Sequence, residues 1–442
     1  MKESIRVGLI GCGTVGSGVV RILTQEKDLI FRRLGVQIEI AQIADIDPNR
    51  YQAVHLPQSL FTTDPEQLIH HPDIDIVIEL IGGIDPARQL ILAAIHNGKH
   101  LVTANKALLA LHGEEIFKAA EQQHVEIGFE ASVGGGIPIL RAIREGFSGE
   151  KIVAILGIVN GTCNYILTKM SEEKGDFLAV LKEAQALGYA EANPAMDIGG
   201  GDSAHKLAIL AALAFGTPVP VQKVYTEGID HLTPLDLSFA ETLGYKMKLL
   251  AIAKISPSGE LQLRVHPTLI SKEEILAKVN GVFNAISLQG ESIGESLFYG
   301  RGAGSMPTGS AVVSDLIDIS RNILHGSQAR VPPLAYLPSQ RVTIPIQPME
   351  ATTCCYYLRF RVEDRPGVLA EISGVLGEHQ IGIASVIQQK RKGVETLEKG
   401  VHLVMMTHQA IERDIQAALT KIDQNGFVFE PTILIRVEEK IN

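Results

Sequence analysis

The 442-residue sequence contains no tryptophan, and aromatic residues make up only 5% of it. A core without large rings must be filled by Ile, Val, Leu and Ala, as buried parallel sheets commonly are. Cysteine is equally sparse, with four residues at Cys12, Cys163, Cys354 and Cys355. They are too few for a disulfide framework and show no zinc-ligand spacing, which points to a reducing, cytoplasmic compartment. No apolar run approaches the ~18 residues that span a bilayer, and Leu207 to Phe215 is at most a core helix segment, so no membrane association is expected. The opening Met1-Lys2-Glu3-Ser4 enters a strand-like run at once and leaves no room for a signal peptide. Positive charge is also in deficit: 40 Lys and Arg against 50 Asp and Glu give a formal net charge of −10. Nucleic-acid binders usually carry a clustered basic face, so no nucleic-acid partner is expected.

Glycine, by contrast, is plentiful at 42 residues, and the hydrophobic fraction of 45% leaves ample material for a core. At ~100–200 residues per domain, about three domains follow. Ile5 to Ile10 is a short apolar strand that runs into Gly11-Cys12-Gly13-Thr14-Val15-Gly16 and then into a segment of helical spacing, expected over Gly18 to Leu34. This is a GxGxxG fingerprint in its required context, with a strand before and a helix after. The first glycine makes the turn, the second admits a pyrophosphate to the backbone, and the third lets helix and strand approach. The next strand, Ile38 to Ala44, ends at Asp45. An acid there can accept from ribose hydroxyls, which favours NAD over NADP, or it can simply open the Asp47-Pro48 turn. Arg50 is close enough in sequence to meet a 2′-phosphate, so the choice of dinucleotide stays open. Further strands at Asp75 to Ile81, Leu101 to Ala104 and Val125 to Phe129 alternate with helices, the pattern of a doubly wound parallel sheet. Ligands of such sheets bind beyond the carboxyl ends of the strands, where Lys106 stands.

Two further stretches carry chemistry. From Gly188 to Phe215 a loop holds Glu191 and Asp197, followed by Gly199-Gly200-Gly201 and a helix with Asp202 and Lys206 four residues apart on one face. Three carboxylates and one ammonium gather in a Gly-rich segment; the plainer alternative is a helix ion pair preceded by a capping loop, and His205 points away from that face. A second Gly-rich segment, Gly300 to Gly304, precedes another apolar helix, whose start could again meet a phosphate or the nicotinamide. Prolines at 332, 333, 338, 345 and 348 mark a linker. The tail reads β-α-β-β-α-β, a ferredoxin-like unit.

These residues together resemble homoserine dehydrogenase, in the long form with a C-terminal ACT domain. The resemblance covers nearly the whole chain and rests on the N-terminal fingerprint, Thr103-Ala104-Asn105-Lys106, the run from Asn160 to Leu167, the Gly188-to-Lys206 block, Gly302-Ala303-Gly304 before Pro307-Thr308, and Asp364-Arg365-Pro366-Gly367-Val368-Leu369 in the tail. It implies an α/β chain with an N-terminal Rossmann domain (1–132, with about 300–335), an α+β substrate and dimerisation domain (133–299), a linker (336–352) and an ACT regulatory domain (353–438). It implies reversible NAD(P)H-dependent reduction of L-aspartate 4-semialdehyde to L-homoserine, a step toward threonine and methionine. By the same resemblance Lys206 and Lys106 are the catalytic lysines, and Glu191, Asp202 and Asp197 line the substrate pocket. Gly11, Gly13, Thr14, Val15, Gly16, Asp45, Lys106, Gly188 and Gly304 bind the dinucleotide. A sodium ion is expected on main-chain oxygens of Glu130, Val133, Gly135 and Ile137. An amino-acid effector, naturally threonine, is expected at Asp364, Gly367 and Val368, and the chain is expected to form a homo-oligomer, dimer or tetramer.

The chemistry suits the residue types, since reducing an aldehyde needs a proton on oxygen beside the hydride on carbon, and an ammonium stabilises the developing alkoxide. Which lysine gives that proton the sequence leaves open. Two positions depart from the family pattern. Cys163 stands where threonine is usual; a small packing residue is the better reading, against a thiohemiacetal nucleophile. Ala44 replaces an arginine of NADP-preferring relatives, which with Asp45 tilts the choice toward NAD. The competing functions are another amino-acid-linked oxidoreductase of the same architecture, and a cofactor-bound sensor without turnover.

Overall fold

A computed structural model describes residues 2–327, 329–388 and 400–439; residues 389–399 of the expected ACT segment lie outside them. The chain divides into two compact units, one made of residues 1–161, 201–224 and 282–344, the other of 162–200, 225–281 and 345–442.

In the first unit, β1 (Ser4–Ile10), β2 (Gln37–Ala44), β3 (Phe61–Thr62), β4 (Ile76–Glu79), β5 (His100–Thr103) and β6 (Ile127–Gly128) form a parallel sheet in the order β3-β2-β1-β4-β5-β6. That is the Rossmann order, with its switch point between β1 and β4. Both faces are covered, so the strands read as unbroken aliphatic runs: Ile5, Val7, Leu9, Ile76, Ile78 and Val102 are all buried. The Ser305–His325 helix lies against the helix that follows β1 and sends Val312, Leu316 and Ile319 into the same core. A second, antiparallel sheet of this unit places β7 (Ile152–Ile158) beside Phe283–Gly290, which pairs in turn with Gly294–Arg301.

The single helix expected over Gly18 to Leu34 is instead two helices, Thr14–Gln25 and Lys27–Leu34, broken at Glu26. The reason is burial. Val19, Val20 and Leu23 face the core, but 24–28 is an exposed polar run, and the next fully buried side chain is Ile30. The strand expected at Val125 to Phe129 shrinks to two paired residues, Ile127 and Gly128. Gly128 there lies so close to the Ser305–His325 helix that a Cβ would come within 2.6 Å of Asp315 Cβ.

In the second unit Tyr245–Ile255 runs antiparallel to Leu261–Ser271. Leu261–Ser271 pairs in parallel with Val428–Val437, through Thr268 with Arg436 and Leu269 with Val437. Thr353–Val362, Val401–Thr407 and Ile383–Gln388 extend the ladder, and helices Val368–Glu378 and Glu412–Asp423 pack on it around Tyr356, Leu358, Phe360, Ile372 and Ile415. The tail thus has the β-α-β-β-α-β course of an ACT domain and shares its sheet with the 245–271 hairpin.

The units do not follow the four segments expected from sequence. The stretch 133–299 is shared between both units, because the Gly201–Phe215 helix packs on Lys106–Gln123 while the 245–271 hairpin pairs with the tail. The stretch 336–352 is not a loose linker. Within the first unit Tyr336 Oη donates to Ala214 O and Val342 N–H to Gly216 O. Within the second, Leu261 N–H donates to Pro345 O and Gln347 N–H to Leu261 O.

Candidate active site

Beyond β1 the chain turns at Gly11, whose φ of +93° suits glycine. A Cβ on Gly16 would sit 2.2 Å from Gly11 O, and one on Gly18 would sit 2.3 Å from Ser305 O. Both glycines are therefore demanded by packing. Gly13 differs: a Cβ there would meet nothing within 4 Å, so its bare backbone faces open space at the N-cap of the Thr14–Gln25 helix. The first-turn N–H groups, Thr14, Val15 and Gly16 among them, have no intrahelical acceptor and sit at the positive end of the helix dipole. A pyrophosphate fits this place. At the end of β2, Asp45 accepts from Cys12 N–H at 2.7 Å and from Asp47 N–H at 2.9 Å. Its carboxylate is thus fixed beside the fingerprint and also opens the Asp47-Pro48 turn. Arg50 leans to Asp47 at 3.7 Å.

The lysines meet at one carboxylate. Lys206, one turn after Asp202 on the Gly201–Phe215 helix, donates to Asp202 Oδ2 and to Val159 O, each at 2.7 Å. Asn160 Nδ2 donates to the same Oδ2 at 2.9 Å. Lys106, the first residue of the Lys106–Gln123 helix, lies 3.3 Å from Asp202 Oδ1. Asp202 is only 6% exposed. Burial pushes its carboxyl up, but the Lys206 and Lys106 charges outweigh burial and hold it well below the usual carboxylate range. Lys206 is nearly buried, whereas Lys106 is 42% exposed at its side chain. His205, beside them in sequence, is driven toward its neutral form by burial. The i,i+4 spacing foretold the Asp202–Lys206 pair. It missed Asn160, whose signals were its place at the end of β7 and at the head of the Asn160-to-Leu167 run, and the Val159 carbonyl, which leaves no signal in side chains.

The remaining candidates are placed as follows. Glu191, exposed in its loop, and Asp197, half-buried on the short Ala195–Ile198 helix, belong to the second unit. So does Gly188, with φ +75° after the Phe177–Ala186 helix. Cys163 is fully buried and its thiol donates to Asp197 O at 3.1 Å, as a packing residue would. Gly304, φ +124°, is the N-cap of the Ser305–His325 helix. Glu130, Val133, Gly135 and Ile137 are buried in a turn where Gly134 and Gly135 have positive φ. Glu130 accepts from Leu140 and Arg141 N–H at 2.8 and 2.7 Å, while its own N–H donates to Asp315 at 2.8 Å. Burial, with Asp315 alongside, pushes the Glu130 carboxyl up to about 7. Among the described residues, no group of three or more His, Cys, Asp or Glu side chains could hold a metal ion, and no helix is long and apolar enough to cross a membrane. In the tail, Gly367 (φ +98°) caps the Val368–Glu378 helix, Val368 is buried and Asp364 is exposed.

Three family models match the chain: "Homoserine dehydrogenase, NAD binding domain" over residues 11–130, "Homoserine dehydrogenase" over 138–317 and "ACT domain" over 356–427. A homoserine dehydrogenase of Pseudomonas aeruginosa is 46% identical over 437 residues, covering 99% of each chain. A solved homoserine dehydrogenase from Thiobacillus denitrificans is 46% identical with a TM-score of 0.93, covering 99% of this chain and 98% of that one. A hyperthermophilic archaeal homoserine dehydrogenase solved in complex with NADPH is 26% identical with a TM-score of 0.61, covering 72% of this chain and 98% of its own.

Proposed function

Because the chain belongs to the homoserine dehydrogenase family of oxidoreductases, we propose that it interconverts L-aspartate 4-semialdehyde and L-homoserine, with NAD favoured over NADP and with threonine acting through the ACT domain. The observation that carries the chemical part is the convergence of Lys206 and Lys106 on buried Asp202. The nicotinamide, when bound, gives hydride to or takes it from the substrate carbon. Lys206 has three N–H donors. Two are used on Asp202 and Val159, and the third is left for the substrate oxygen, where it stabilises the alkoxide and supplies the proton. Lys106, more exposed and on a separate helix, orients substrate and cofactor from the other side. Asp202 directs both ammonium groups toward one place. By the family resemblance, Glu191 and Asp202 are the carboxylates proposed for the substrate's amino group, and Asp197 is proposed to line the same pocket.

The open backbone at Gly13 and the first-turn N–H groups of Thr14, Val15 and Gly16 would hold the pyrophosphate. Asp45, with no arginine before it, favours ribose hydroxyls over a 2′-phosphate. A sodium ion would have to draw on main-chain oxygens of Glu130, Val133, Gly135 and Ile137, in keeping with the positive-φ turn there. Asp364, Gly367 and Val368 are the proposed effector contacts, and a homo-oligomer, dimer or tetramer, is the proposed assembly.

Oxidation of L-homoserine by the full chain with NAD and with NADP, each with and without threonine and sodium, tests these points. Turnover that is faster with NAD and depressed by threonine is expected. Cofactor binding without turnover on homoserine would leave a sensor and overturn the proposal. Insensitivity to threonine would remove only the effector.

A further inference from the structure

β4 ends at Glu79, a carboxylate with 0% exposure and no ion-pair partner among the described residues. Burying so polar a group away from water is costly unless it is hydrogen-bonded, so the position needs a reason. Glu79 is held by three hydrogen bonds. Ile81 and Gly82 N–H donate to Oε1 at 2.8 and 3.2 Å, and Thr103 Oγ1 donates to Oε2 at 2.7 Å. Glu79 and Thr103 are register partners on β4 and β5. Thr103 Oγ1 in turn accepts from Asn105 N–H at 3.0 Å. Asn105 caps the next helix, accepting from Leu108 N–H at 3.1 Å and donating through Nδ2 to Gly83 O at 2.8 Å. Residue 106, the first of that helix, is the lysine whose Nζ reaches Asp202.

We propose that Glu79 is a positioning residue for Lys106, acting through the Thr103 hydroxyl and the Asn105 cap; this rests on the reading of Lys106 as a lysine of the active site. The argument is one of proton direction. Both oxygens of Glu79 accept, so the single proton of the Thr103 hydroxyl is committed to Glu79. The lone pairs of Thr103 are then free for Asn105 N–H. The chain of donors therefore runs one way, from Asn105 through Thr103 to Glu79, and the start of the helix is fixed to the end of β4. The Asn105–Gly83 bond ties the same two strand ends a second time. A glutamine at 79 cannot keep this direction. If its oxygen serves Ile81 and Gly82, its NH₂ faces Thr103 Oγ1, which then meets two donors while its own proton has lost its acceptor. The cap at Asn105 loosens, and with it the first turn that carries Lys106.

The test uses the full chain and steady-state homoserine oxidation, with thermal unfolding and cofactor binding measured in parallel. Glu79→Gln is expected to lower kcat on the order of 10- to 100-fold, the scale of a displaced catalytic group, while cofactor still binds. Thr103→Val should reproduce the loss, and Thr103→Ser, which keeps the hydroxyl, should recover most of it. The double variant Glu79→Gln/Lys106→Ala should be no slower than Lys106→Ala alone, because Glu79 acts through that lysine. Multiplying losses in the double variant, or wild-type kcat in Glu79→Gln, overturns the proposal. Full activity in Lys106→Ala instead removes the reading on which it rests, and with it the role of Glu79.

Discussion

Asp202 shows how much one carboxylate can organise. Two ammonium groups and one amide meet it in a nearly dry place, where charges interact more strongly than in water. Lys206→Ala is expected to lower kcat on the order of 100- to 10,000-fold, the range of a lost acid/base group, with cofactor affinity retained when followed by nicotinamide fluorescence; unchanged turnover would take Lys206 out of the mechanism. The Asp202 carboxyl titrates below its ordinary range. With its folded pKa below the unfolded value of about 3.9, the stability it contributes is present above that value and is lost only as pH falls through the folded pKa. Any fall in activity near neutral pH must have another origin. The pair was legible because Asp202 and Lys206 stand four apart on a helix. Asn160 and Lys106 reach it from other elements, across 42 and 96 positions of chain, and no local spacing encodes such a meeting.

Glycine has two opposite uses around the first helix of the chain. Gly18 makes room for the main chain at Ser305, so Gly18→Ala should lower stability by about 1–3 kcal/mol, as overpacking does, in thermal or urea unfolding. Gly13 faces open space, so Gly13→Ala should leave unfolding unchanged and weaken dinucleotide binding by at least about tenfold, since the methyl occupies the phosphate's approach. Equal effects of the two on stability would contradict this division. The motif was plain in sequence, and with it the reading of Gly13 for the phosphate and Gly16 for packing; Gly18 lies outside the motif, and its packing role depends on a helix almost three hundred residues away. The break at Glu26 was missed for a related reason: helical propensity runs through 24–28, and only the absence of a core beneath it ends the first helix.

A second element-level feature is Lys248 on the Tyr245–Ile255 strand, 3% exposed and bonded to Val279 O, Asn164 Oδ1 and Asn280 Oδ1 without a carboxylate among these three. Burial lowers its ammonium to about 8. The folded pKa lies below the unfolded value, so the unfolded chain binds more protons between about pH 8 and 10.5. Stability should rise with pH across that window, on the order of 3 kcal/mol in all. Lys248→Met should flatten this rise in a series of urea titrations; an unaltered slope would assign it elsewhere.

At the scale of the whole molecule, the sequence announced three kinds of module correctly in type, a Rossmann sheet, a mixed domain and an ACT tail. What it did not announce is how the tail is joined within its unit. Arg359 pairs with fully buried Asp236 at 2.6 Å, Arg436 bridges Glu412 and Glu227 at 2.6 and 2.7 Å, and Arg264 pairs with Glu438 at 2.6 Å. Such long-range partners leave no periodicity to read. They also alter the obvious regulatory experiment. Deleting residues after Pro348 strips buried Asp236 of Arg359 and buried Arg264 of Glu438 and leaves buried charge unpaired, which costs about 3–5 kcal/mol per broken pair. The deletion is expected to unfold or aggregate rather than yield an unregulated enzyme, as measured by thermal unfolding and gel filtration. Substitution at exposed Asp364 is the cleaner way to remove an effector response.

The parallel pairing of Leu261–Ser271 with Val428–Val437 has a consequence for how the protein is made. The ribosome delivers the first of these strands long before the second; Tyr225 and Thr226 pair with Arg264 and Val265, but until the tail emerges the edge at Thr268 and Leu269 offers unpaired N–H and C=O groups to other nascent chains nearby. The second unit can close only after the tail has emerged, whereas the sheet β1 to β6 can form as soon as its strands are out. Yield in the cell should therefore depend on translation speed and chaperone supply over the last part of the message more than over the first.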